Sequence, residues 1–503
     1  MARAAVRPYD VAGSAPELSP ALLSEYVRSH ANSKAYVAAS RPRLSDNRNI
    51  ANFSLAHKEA CHPIVAESAR AAGSCHVRDA DGNELIDLGG GFGVVLFGHN
   101  PPFVRAAVAQ MIRSNGWGLG FAHTITAQNA AKVCQLTGME RCAFVTTGSE
   151  ATALAYRLCL RHTGRRRVVM FEGAYHGHFD GFLGQPADGS LPDRCMPVAP
   201  GIPAAYTRDL IVLKYDDDAS LAYIEEHAEQ IAGIFCEPVQ NRHPAVVPRA
   251  FLQRLRAITE SAGIVLVFDE VVTGFRVAAG GVQELLGVRC DLACYGKALG
   301  GGYHIGCVAG TGEIMGGSTD EPDAEGAANA DATDVRGLST GGSGACTGGL
   351  GGGGAAAIRR AGQRPHGSSS FLAGTFSEHP LVMAAVGAVL DHIMAHAPSI
   401  YPSLRHKTDE FARALNCWWR EKGYELRIDN FCSMFRFQVP AHLNVVFYQT
   451  LLLHGVYCWE GRTCFLTTAH TDEDIALVIE ACKRTTYKLA ESGITLPRRE
   501  EHT

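Results

Sequence analysis

A strand-length apolar run that ends on two acids, followed 28 residues later by a lysine on a glycine turn, constrains this chain most. Residues 264–276 read IVLVFDEVVTGFR and residues 291–302 read DLACYGKALGGG. Ile264 to Phe268 are five successive apolar residues, rich in branched side chains that fit a pleated surface, and they predict a fully buried strand. That strand delivers Asp269 and Glu270. A second apolar run, Leu292 to Tyr295, delivers Lys297 onto a Gly-rich turn. Open α/β sheets bind ligands outside the carboxyl ends of their strands, so an acid and a lysine at two such ends mark a candidate site.

Pyridoxal phosphate (PLP) chemistry calls for this pair. A lysine holds the cofactor as a Schiff base, and a buried carboxylate keeps the pyridine nitrogen protonated so that the ring accepts electrons. Gly300, Gly301 and Gly302 let backbone and cofactor come close. Taken alone, Lys297 reads better as a surface lysine on a strand-to-helix turn, with the acid capping the next helix. Other stretches decide between the two.

From about Arg141 the pattern alternates strand and helix, the sign of a mostly parallel sheet. Cys142 to Thr146 reads as a strand ending in Thr147-Gly148-Ser149, and Ala151, Leu154, Ala155, Leu158 and Cys159 then repeat at helical spacing. Strand, Thr-Gly-Ser, helix is an anion site, because free N–H groups and the helix dipole point at one place. It is equally an ordinary N-cap. The strand Val168 to Phe171 leads to Tyr175 and His176, and Ile231 to Cys236 leads to Glu237. A phosphate cradle, a ring cover, an acid and a lysine thus share one sheet edge. Each is ordinary alone; their conjunction is hard to reach by chance.

Three regions are expected: an N-terminal arm and hairpin over 1–95, a large cofactor domain over 96–380, and a small α+β domain over 381–503. Residues 311–370 are low in complexity and too poor in large apolar residues to order themselves, so they read as an insertion. A helix is expected from about Leu381 to Met394. GGGFG near residue 90 lacks the spacing of a dinucleotide loop.

The net charge of −5 gives no reason to expect nucleic acid or an anionic membrane as partner, and no apolar run approaches the length of a membrane span. The sixteen cysteines form no CxxC pair and show no metal-ligand spacing, so no metal is expected, and His176-Gly177-His178 lacks nearby acids or thiols to make one. Scattered thiols suit a reducing compartment, and Asp10 and Glu17 argue against an organelle transit peptide. The expected location is the cytoplasm.

With these residues in hand, the chain resembles the class III aminotransferases, PLP enzymes of fold type I, over roughly residues 41 to 489. The resemblance is carried by TTGSEA at 146–151, AYHG at 174–177, EPV at 237–239, DEVVTGFR at 269–276, YGKALGGG at 295–302 and GTFSEHP at 374–380. It implies an α/β fold whose large, mostly parallel sheet is flanked by helices, with a smaller α+β domain. It further implies that Lys297 and Asp269 are catalytic. Thr147, Gly148, Ser149, Tyr175, His176, Glu237, Asp269, Val271, Lys297 and Thr375 would surround the cofactor, Thr375 reaching the phosphate of a second subunit in a homodimer.

Two branches lie nearest. One is glutamate-1-semialdehyde 2,1-aminomutase, which moves nitrogen within one molecule. The other is the aminotransferases working beside polyketide and nonribosomal-peptide synthetases. WEGRTCFLTTAHTDEDI at 459–475 is similar to the second branch, and Ser377-Glu378-His379 stands where the aminomutase usually has Ser-Gly-Asn. Val272 replaces a glutamine common in ω-aminotransferases. The leading expectation is transfer of an amino group, with glutamate as donor, to an oxo-acid or oxo-acyl acceptor, acyl-carrier-bound substrates included. The aminomutase is the alternative, and a pseudoenzyme is disfavoured because both Lys297 and Asp269 are present. Arg276 and Arg462 are candidate partners for a substrate carboxylate.

Overall fold

The computed structural model describes residues 20–40, 42–44, 65–69, 71–114, 118–187, 192, 194–316, 370 and 372–498. Its centre is a seven-stranded sheet. The order across it is Arg141–Val145, Gly306–Gly310, Leu292–Gly296, Val265–Asp269, Ile231–Cys236, Arg167–Phe171 and Leu210–Leu213. Gly306–Gly310 runs antiparallel to both neighbours; the other pairings within the run from Leu292–Gly296 to Leu210–Leu213 are parallel. This is the mostly parallel sheet that the alternating pattern predicts.

The strands are apolar on both sides because both faces are covered. Leu266, Phe268, Ala293 and Tyr295 pack into one core, together with Met383, Val386, Val389, Leu390 and Ile393. Their sequence neighbours Val265, Val267, Leu292 and Cys294 pack on the opposite face against Ala151, Leu154, Ala155, Leu158 and Cys159. Period-two alternation in the strands thus meets the helical face of Gly148–Thr163 on one side and the long helix on the other.

That long helix runs from Pro380 to Glu421, well past the expected end near Met394. It contains Pro398 and Pro402, each of which removes a helical hydrogen bond. Buried Val389 and Ile393 before them, Ile400 and Tyr401 between them and Leu404 after them hold the helix together across the break. The helix is long and apolar enough over part of its length to cross a membrane, but more than half of that part is buried in the protein. Its first half belongs to the sheet core, while Phe411, Leu415 and Trp419 belong to a second core.

The second core holds the strands Arg427–Phe431, Met434–Gln438 and Cys464–Phe465 and the helices Asn444–Leu453 and Asp472–Glu491. Leu22, Ile86 and Leu88 join it from the N-terminal side. The hairpin His76–Asp79/Glu84–Asp87 pairs in parallel with Val456–Tyr457, and His76 Nε2 lies 2.7 Å from Asp474 Oδ1. The N-terminal hairpin therefore shares a core with the C-terminal region. Of the expected insertion, Gly312–Met315 forms a helical turn with Ile314 buried, and residues 317–369 lie outside the described residues.

Candidate active site

The carboxyl ends of the parallel strands meet at one edge, where register sets Asp269 beside Cys294, three residues before Lys297. Asp269 is buried. Its Oδ1 accepts from Val271 N (3.1 Å), and its Oδ2 lies 2.7 Å from His176 Nδ1. His176 is also buried, with its ring against Phe182 and Phe235, and its Nε2 has no hydrogen-bond partner among the described residues. His176 Nδ1, placed to donate to the carboxylate, fixes the orientation of Asp269.

Lys297 begins the turn after Leu292–Gly296, with φ +44°, in the left-handed region that costs a non-glycine residue roughly 1–3 kcal/mol. Burial lowers its pKa; Asp269 and Glu237 oppose that shift, and Arg276 adds to it. A lysine held this way is more readily uncharged than one in water.

The helix Gly148–Thr163 starts with a capping box: Thr147 Oγ1 accepts from Glu150 N (3.2 Å), and the Glu150 carboxylate accepts from Thr147 N (3.2 Å) and Thr146 N (2.6 Å). Glu150 thus occupies the N–H groups before the helix, while Gly148 and Ser149 carry first-turn N–H groups outside the helical ladder. Gly148 is required by contact: a Cβ there would lie 2.8 Å from Val271 Cγ1. Gly177 is required twice over, by φ +87° and by a clash of any Cβ with the Ser149 side chain. Ser149 Oγ accepts from His178 N (3.2 Å), and Thr152 Oγ1 donates to His176 O (2.7 Å), tying the helix start to the Tyr175–His178 loop.

Tyr175 is about half exposed, and its N–H donates to Glu237 Oε1 (2.8 Å). Glu237 is buried, and its Oε2 accepts from Asn241 N (3.0 Å) and Asn241 Nδ2 (2.6 Å). The Gly90–Gly93 turn closes the other side, and a Cβ on Gly93 would meet Phe465 and Lys297 Cδ. Phe92, at φ +59°, packs its ring 5.3 Å from that of Trp459.

Lys297, Asp269, His176, Tyr175, Glu237, Gly148, Ser149 and Val271 are therefore linked through the contacts above. Thr147 is adjacent, with its hydroxyl committed to the cap. Thr375 is exposed in the turn before Pro380, and no hydrogen bond among the described residues joins it to the group. Arg276 does not match the substrate-carboxylate role. Its guanidinium is buried, donating to Gly93 O and Val95 O (2.9 Å each), Ser433 Oγ (3.3 Å) and Leu466 O (3.4 Å), with Phe465 across its face. Burial pushes its pKa down to about 9. A lone arginine in a motif carries no sign that backbone carbonyls will claim it. Thr152 and Asn241 were also not foreseen, although the polar Gln240-Asn241 pair after Glu237-Pro238 is a readable signal.

These residues fit PLP. The glycine at the helix start leaves room against Val271, the first-turn N–H groups suit a phosphate, a carboxylate held by a histidine suits a protonated ring nitrogen, and a half-buried lysine with a lowered pKa suits its aldehyde.

A sequence profile described as Aminotransferase class-III matches residues 56–322. A glutamate-1-semialdehyde 2,1-aminomutase of Nitratidesulfovibrio vulgaris (strain DP4) is 32% identical over 441 residues, covering 83% of this chain and 91% of that protein. Among solved structures, a β-phenylalanine aminotransferase from Variovorax paradoxus superposes with a TM-score of 0.73 at 24% identity, covering 95% of this chain and 99% of its own. A glutamate-1-semialdehyde-aminomutase from Pseudomonas aeruginosa PAO1 gives 0.71 at 18% identity, covering 93% and 97%.

Proposed function

The chain belongs to the class III aminotransferases, PLP-dependent enzymes, and from that premise we propose that it transfers an amino group from glutamate to the carbonyl of an oxo-acid or oxo-acyl substrate. The observation that carries this reading is the placing of Lys297 at the same strand edge as Asp269 and Glu237, where both carboxylates act on its charge while burial lowers its pKa. When bound, PLP supplies an electron sink that makes the proton on the substrate carbon removable. Lys297 would hold the cofactor and, once displaced by the donor amine, accept and return that proton at Nζ. Asp269, oriented by His176 and Val271 N, would keep the ring nitrogen charged. Gly148 and Ser149 would hold the phosphate from the helix N-terminus, Val271 would pack behind the ring, and Tyr175, on the strap fixed by Glu237, would cover its front.

A second reading is intramolecular transfer of nitrogen, supported by the aminomutase relatives. The two differ in whether an external donor leaves an oxo acid behind. Mixing the yellow holoenzyme with L-glutamate in the absence of acceptor decides between them. Bleaching of the visible band with stoichiometric release of 2-oxoglutarate supports the aminotransferase. A band untouched by glutamate, but changed by an amino-aldehyde, supports the mutase.

Carrier-bound acceptors belong to this proposal, supported by the likeness of residues 459–475 to the synthetase-associated branch. So does a homodimer, supported by the exposed Leu119, Phe121, Leu372 and Phe376, the last beside Thr375. A cytoplasmic location is supported by the described cysteines, all of them free thiols.

A further inference from the structure

The N-terminal hairpin and the last helix meet in a cluster of three different donor groups. Cys75 precedes and His76 opens the strand His76–Asp79, and Asp474 is the third residue of the helix Asp472–Glu491, 398 positions after His76. Cys75 Sγ lies 3.4 Å from Asp474 Oδ2, and His76 Nε2 lies 2.7 Å from Asp474 Oδ1. A thiol, an imidazole nitrogen and a carboxylate oxygen thus lie within 4.8 Å of one another, and Cys75 and Asp474 are buried. Spacing along the sequence does not reveal the group, because its third member comes from the far end of the chain.

The carboxylate and the imidazole are each held from behind. Asp474 Oδ2 accepts from Thr471 N (2.9 Å) and Thr471 Oγ1 (3.0 Å), closing the capping box and leaving Oδ1 toward His76. His76 Nδ1 lies 3.3 Å from Glu84 Oε1, on the other strand of the hairpin. A carboxylate behind an imidazole is the arrangement that orients a metal-binding histidine, putting its proton on Nδ1 and its lone pair on Nε2. A further nitrogen is left over nearby. His470 is buried, its Nδ1 accepts from Thr467 N (3.1 Å), and its Nε2 has no hydrogen-bond partner among the described residues. The residue before it, Ala469, lies against Gly98 beside the Gly73 carbonyl, and the residue after it is the Thr471 that holds Asp474.

We propose that Cys75 Sγ, His76 Nε2 and Asp474 Oδ1 bind a zinc ion, with Glu84 behind His76 and water in the remaining position. A thiolate with an imidazole and a carboxylate suits zinc, whereas magnesium and calcium take oxygen ligands alone. Binding displaces two protons from between the ligands. The thiol proton of Cys75 leaves to solvent as the sulfur–zinc bond forms, and the His76 proton passes from Nε2 to Nδ1, where Glu84 accepts it. One thiolate and one carboxylate then balance the charge of the ion. Nitrogen and oxygen ligands about 2.0–2.1 Å from zinc at a tetrahedral angle stand about 3.3 Å apart, so the 2.7 Å pair opens by roughly 0.6 Å. The ion would clamp the hairpin to the last helix. This site is separate from the aminotransferase reading and stands or falls without it.

The test uses the full-length holoenzyme, freed of metal by a chelator, and its Cys75→Ser, His76→Gln and Glu84→Gln variants. Zinc is titrated in competition with a chromophoric chelator. The expected result is one equivalent per chain that Cys75→Ser and His76→Gln abolish, while Glu84→Gln weakens it by roughly ten- to 100-fold. Zinc should also raise the thermal midpoint of the unmodified protein and leave that of Cys75→Ser in place. Cys75→Ser keeps a donor to Asp474, so it separates loss of the metal from loss of the contact. Cobalt(II), read as a difference spectrum against the metal-free holoenzyme, needs no variant that might fail to fold. Intense visible bands of a four-coordinate ion with a sulfur-to-cobalt charge-transfer band support the site. Weak six-coordinate bands without a sulfur band, or equal zinc binding by the unmodified protein and Cys75→Ser, overturn it and leave the cluster a hydrogen-bonded strut.

Discussion

Replacing Glu237 with glutamine perturbs the strap beneath Tyr175 at one atom. Glu237 is buried, and all three of its partners are donors: Tyr175 N on Oε1, and Asn241 N and Nδ2 on Oε2. A glutamine offers one acceptor oxygen and one NH2. With its oxygen toward the Asn241 pair it keeps two contacts and sets a donor against Tyr175 N. A hydrogen bond to a charged group contributes roughly 1.5–3 kcal/mol net, so at about 1.36 kcal/mol per tenfold the Tyr175 amide should open roughly ten- to 150-fold more often. Hydrogen–deuterium exchange of a peptide spanning Gly173 to Gly177 reads this directly. Removing the carboxylate also deletes one group that raises the Lys297 pKa, so in cofactor-free protein that lysine should titrate lower still. Exchange at Tyr175 as slow as in the unmodified protein would refute the strap.

Three further outcomes follow from the same geometry. Gly148→Ala puts a methyl 2.8 Å from Val271 Cγ1, an overpacking that should weaken cofactor retention by roughly ten- to 100-fold; Val271→Ala should restore it, as absorbance titration with PLP will show. Arg276→Met strands the carbonyls of Gly93 and Val95 and should destabilise the fold by about 2–4 kcal/mol in denaturant, without selectively harming carboxylate-bearing substrates. His470, buried and pushed down to about 4, stays neutral in the folded chain while the unfolded chain takes up its proton below the usual histidine value near 6.5. The unfolded state therefore binds more protons in this window, and stability from this residue is lost as pH falls from about 6.5 to 4, by about 3 kcal/mol in all. His470→Asn should flatten that part of the stability profile in urea titrations.

Much of the large domain is legible in the sequence because parallel strands covered on both faces leave uninterrupted apolar runs, as Ile264 to Phe268 does. The helix after Thr147-Gly148-Ser149 is legible from its apolar repeat and its cap. The pairing of the N-terminal hairpin with Val456–Tyr457 is not, because a two-residue strand carries no period and its partner lies hundreds of residues away. The long helix runs through Pro398 and Pro402 because buried contacts on both sides outweigh what local propensity discourages. In the site, residue types at strand ends reveal Asp269 and Lys297. The bonds that orient them do not show, because they run from the His176 ring, the Thr152 hydroxyl and the Asn241 amides to atoms that only the fold brings within reach.

The central claim is that Lys297 is the residue that carries PLP. Reducing the yellow holoenzyme with borohydride fixes the cofactor to its lysine, and mapping the proteolytic peptides by mass identifies which lysine it is. The account predicts the label on the peptide containing Lys297 and none in Lys297→Ala. A label on another lysine, or an equal label in the variant, would contradict it.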